Sequence, residues 1–75
     1  MANDWTEAQV ALSGEVGRLL NDAEATGVPI SAYAQASRLA QAYPAARMTS
    51  EDIARLIIHV SRYFRVVVEL ERLPA

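Results

Sequence analysis

A chain of 75 residues, 52% hydrophobic and 21% charged, has the composition of one globular domain rather than of a disordered segment. It has no cysteine and a single histidine, His59, so nothing supports disulfides or structural zinc as reinforcement for a domain that buries only about 60% of its unfolded surface. Association with a second copy is the expected remedy, and the net charge of −2 argues against nucleic acid as the main partner.

The first helix is expected over residues 5–26. Asp4 with Glu7 three residues on is a variant of the capping box, and Gly27 followed by Pro29 is a stop signal. Trp5, Ala8, Leu12, Val16, Leu19 and Ala23 recur at spacings of three and four and gather on one face. On the other side Val10, Gly14, Gly17 and Asn21 form a strip of mostly small residues. Each glycine in a helix interior costs about 1 kcal/mol relative to alanine. The strip suits either close approach of another backbone or a plain solvent face.

A second helix is expected over residues 32–43, capped by Ser31 and ended by Pro44. Tyr33, Ala36, Leu39, Ala40 and Tyr43 give it a modest apolar face. The third helix, over residues 50–65, carries the most consistent local signals: Thr49 as N-cap, Asp52 at the third helical position, and Met48 placed to staple against Ile53. Ile53, Leu56, Ile57, Val60, Tyr63, Phe64 and Val67 fall on one broad face, which marks this as the core-forming helix.

The stretch "RYFRVVVEL", Arg62 to Leu70, then changes period. Val66, Val68 and Leu70 point one way while Val67, Glu69 and Glu71 point the other, and three consecutive valines favour extended backbone. Residues 66–71 are therefore expected to form an extended tail. No second strand is evident, so the tail must pair with another copy, pair with a different protein, or lie across the helices.

These patterns define a candidate partner-binding surface. Arg55, Ile58, Arg62 and Arg65 share the remaining face of the third helix, with His59 and Glu51 beside them, and Val66, Val68 and Leu70 extend it along the tail. Charge is unevenly placed along the chain. Residues 1–26 hold five acidic side chains against Arg18, for −4, whereas residues 27–68 hold five arginines against Glu51 and Asp52, for +3. Such asymmetry either binds segments of one chain together or marks a partner surface.

Catalytic patterns are missing from the sequence. Ser61 lies two residues from His59 and so on a different side of a helix, there is no Gly-x-Ser-x-Gly elbow, and Glu51 with Asp52 fits the first turn of a helix. His59 has no second His, Cys or carboxylate at ligand spacing, and Gly14 with Gly17 has the wrong spacing for a phosphate loop. No apolar run reaches the roughly 20 residues that span a bilayer, and the N-terminus has no signal-peptide pattern. The expectation is an all-α, small three-helix domain with an extended C-terminal tail, dimeric and cytoplasmic. It is read as a non-catalytic protein-binding or regulatory module of adaptor or antagonist type, without cofactor or metal. The alternative is a helix-turn-helix DNA-binding regulator that presents Arg55, Arg62 and Arg65 to phosphates.

Overall fold

A computed structural model describes residues 5–70. Three helices and two very short strands follow in the order α1 (Glu7–Thr26), β1 (Ile30–Ser31), α2 (Ala32–Ala42), a 3₁₀ turn (Pro44–Ala46), α3 (Ser50–Ser61) and β2 (Val68–Glu69). The molecule is a small all-α domain with a minimal parallel strand pair added to it.

Each helix starts where a side chain satisfies the orphaned amides of its first turn. For α1 that residue is Thr6. Its Oγ1 accepts from the Gln9 N–H at 3.2 Å, and Gln9 Oε1 accepts from the Thr6 N–H at 3.0 Å, a complete capping box. The start expected at Trp5 therefore moves to Glu7. Asp4 lies outside the described residues. At the other end Gly27 takes φ 72° and donates to Ala23 O at 2.8 Å, the left-handed turn that glycine adopts without a Cβ penalty.

Helix α3 begins with a second reciprocal box, Thr49 Oγ1 accepting from the Asp52 N–H at 3.1 Å and Asp52 Oδ2 from the Thr49 N–H at 3.2 Å. It ends at Ser61, four residues short of the expected 65. The chain then tightens: Tyr63 N–H donates to Val60 O and Phe64 N–H to Ser61 O, both at 3.0 Å and both three residues back. Beyond this turn Val68–Glu69 form the short strand β2, and Glu71, the last residue of the expected tail, lies outside the described residues.

The partner strand is Ile30–Ser31, the link between α1 and α2. It runs parallel to β2 with Ile30 opposite Val68 and Ser31 opposite Glu69, and the Ile30 N–H donates to Val67 O at 2.9 Å. The tail thus pairs within its own chain, a partner not among those expected, and Val66 and Val68 also pack on the core. The strand that the sequence did not reveal is two residues long and serves a second purpose. Ser31, still extended at φ −86° and ψ 112°, is the N-cap of α2, its Oγ accepting from the Ala34 N–H at 3.3 Å.

The core joins Leu12, Val16, Leu20 and Ala23 of α1, Ile30 of β1, Ala32, Ala36 and Leu39 of α2, Ala46, and Ile53, Ala54 and Ile57 of α3. Helices α2 and α3 form the most extensive pair, made close by the alanines of α2. Gln9 Nε2 donates to Ala46 O at 3.0 Å and fixes α1 against the 3₁₀ turn. On α1 Leu12, Val16 and Ala23 of the expected face are buried, but Leu20 is fully buried where Leu19 was expected; Leu19 is half-buried and Trp5 43% exposed. Among the described residues nothing packs closely on Gly14 or Gly17. A Cβ built at Gly14 or Gly17 meets no atom within 4 Å.

Candidate functional site

The exposed side of α3 is the most chemically distinctive surface among the described residues. Asp52, Arg55, His59 and Arg62 recur at helical spacing, and Tyr63 follows in the turn that closes the helix. Arg55 Nη1 lies 3.9 Å from Asp52 Oδ1 with both side chains well solvated, so this ion pair holds the guanidinium only loosely. The His59 and Tyr63 rings meet edge to face with centroids 6.4 Å apart at 76°. Tyr63 itself is 79% exposed.

Of the residues expected to bind a partner, Arg55 and Arg62 stand on this strip. Ile58 does not. It is half-buried and packs on the core, and its carbonyl accepts from Ser61 Oγ at 2.6 Å. Arg65 lies beyond the end of the helix, where helical spacing no longer applies; its side chain is exposed and its backbone N–H donates to Glu24 Oε2 at 2.7 Å, tying the tail to the last turns of α1. Val66 and Val68 are half-buried against the core, whereas Val67 is 66% and Leu70 56% exposed. The seven residues therefore fall on three surfaces rather than one.

Periodicity alone puts Tyr63 and Val67 on the core face of a longer helix. Because α3 stops at Ser61, neither reaches the core. No glycine or proline marks that stop, and the only signal for it is the run of three valines that follows. A shallow concavity lined by Trp5, Val10, Ser13 and Gly14 lies on the outer side of α1.

Among the described residues no polar or charged side chain is buried, and no three His, Asp or Glu side chains come together as metal ligands. No helix among them is long and apolar enough to cross a membrane. Comparison with protein-family models, with curated proteins and with solved structures gives no match.

Proposed function

We propose that the chain is a non-catalytic protein-binding module that acts as a homodimer and engages an acidic partner through the exposed strip of α3. The observation that carries this reading is Tyr63, a large amphipathic ring held 79% exposed beside His59 and Arg62. Tyrosine and arginine dominate the residues whose truncation costs most at protein interfaces, because each offers wide contact area together with a polar group. The excess of arginine over acidic residues between 27 and 68 favours an acidic counterpart, and Arg55 and Arg62 would meet it first. Homodimerisation is supported by the small core.

The reading is tested by affinity capture from cells that produce the protein, with the wild-type chain and the double variant Tyr63→Ala, Arg62→Ala as parallel baits. A protein retained by the first and lost with the second, while both baits keep the same melting temperature, supports it. Equal retention by both baits removes the α3 strip from consideration. Submicromolar, salt-sensitive binding to random duplex DNA would instead favour a nucleic-acid role.

A further inference from the structure

The backbone of the tail alternates between two edges. Arg65 N–H faces inward to Glu24, Val67 C=O accepts from Ile30, and the register of Ile30 with Val68 turns Glu69 N–H toward Ile30 C=O. The N–H and C=O groups of Val66 and Val68 are thereby directed to the opposite, open edge, and they make no hydrogen bond within the described chain. Side chains alternate too: Val66 and Val68 pack on the core, while Arg65, Val67 and Glu69 stand exposed on the outer face. An unpaired edge of this kind is a template for another strand.

From this we infer that the tail segment Arg65–Glu69, which ends in β2, is the dimer interface, adding antiparallel to the same segment of a second copy about a two-fold axis through Val67. The inference rests on the homodimer proposed above and specifies its geometry. The occupant is identified by complementarity. With the axis at Val67, Val66 exchanges hydrogen bonds with the partner's Val68, the exposed Val67 meets the partner's Val67, and Arg65 faces the partner's Glu69 on both sides. Moving the axis to Val68 sets Val67 against a glutamate, and moving it to Glu69 sets two glutamates against each other. Only the register at Val67 places apolar on apolar and positive on negative. The result is a four-stranded ribbon in the order β1, β2, β2, β1, with the helices of both copies beneath it.

The absence of cysteine makes the register directly readable. Opposed residues of a non-hydrogen-bonded antiparallel pair have Cα atoms about 4.5 Å apart, within disulfide range. Val67→Cys should therefore form a disulfide-linked dimer under mild oxidation, and Val10→Cys, on the outer face of α1, should not. Glu69→Arg should weaken dimerisation about tenfold by opposing two arginines at each end, and Arg65→Glu with Glu69→Arg should restore it to within about twofold. Light scattering supplies the mass. A dimer that neither cross-links through Val67→Cys nor recovers in the charge swap overturns this interface and leaves the homodimer standing. A monomer mass at concentrations up to about 100 μM overturns both, and the α3 strip is still judged by its own capture experiment.

Discussion

Two aliphatic runs of this chain meet opposite fates. Ile53–Val60 lies in α3 and buries Ile53 and Ile57 completely, whereas Val66–Leu70 leaves the helix and keeps Val67 and Leu70 more than half exposed. Hydrophobicity does not separate them. What does is the agreement of period with capping: the first run follows a closed Thr49–Asp52 box with apolar residues at spacings of three and four, and the second is β-branched and alternates. A run of valines thus builds an edge when no helical start signal precedes it and a short extended link is available as its neighbour.

The sharpest way to break this comparison is at Ile57. Its truncation to alanine should destabilise the domain by about 2 to 5 kcal/mol in chemical denaturation, as for other fully buried aliphatic residues. A loss below about 1 kcal/mol would mean that α3 is not the centre of the core.

Proline in the tail comes next. Glu69→Pro removes the amide that faces Ile30 and should cost about 1 to 3 kcal/mol at concentrations where the chain is monomeric. Val68→Pro removes an amide directed to the open edge and should cost distinctly less under the same conditions. Reversal of that order would place β2 in the opposite register. Ile58→Ala should fall between core and surface, at about 1 to 2 kcal/mol, because the side chain is half-buried.

The smallest effect is expected at Tyr63, which lies between the two runs. If α3 continued to Val67, this ring would sit in the core and its loss would cost about 3 to 5 kcal/mol, as for other large aromatic residues. With the helix closed at Ser61, Tyr63→Ala should change stability by less than about 0.5 kcal/mol. One thermal melt distinguishes the two.

Much of the helical frame was legible because its signals are local. Gly27, Pro44 and the Thr49–Asp52 box each act within one turn, and each marks a boundary of the folded chain. The start of α1 was misread because Asp4–Glu7 has the spacing of a capping box, whereas the box that closes is Thr6–Gln9 two residues on. Strand β1 was not legible. Two residues cannot display a period, and Ile30 alone between Pro29 and Ser31 gives no pattern until Val67 and Glu69 are brought beside it. The same non-local pairing explains the surface: Arg55 and Arg62 were placed by helical spacing, but the exposure of Tyr63 depends on where the tail turns away.

Ser31 belongs to two elements, as the residue opposite Glu69 in the strand pair and as the N-cap of α2. Its extended backbone is therefore specified twice, from far along the chain and from the adjacent turn. The consequence appears in time rather than in shape. When the tail lifts away, Ser31 loses the neighbour that holds it extended, and Ala34 loses the steady acceptor that shields its amide from solvent deuterium. The amides of Ala34 and Glu69 should then exchange in a single opening event, faster than those around Leu39, so that the first turn of α2 reports the coming and going of a segment nearly half the chain away.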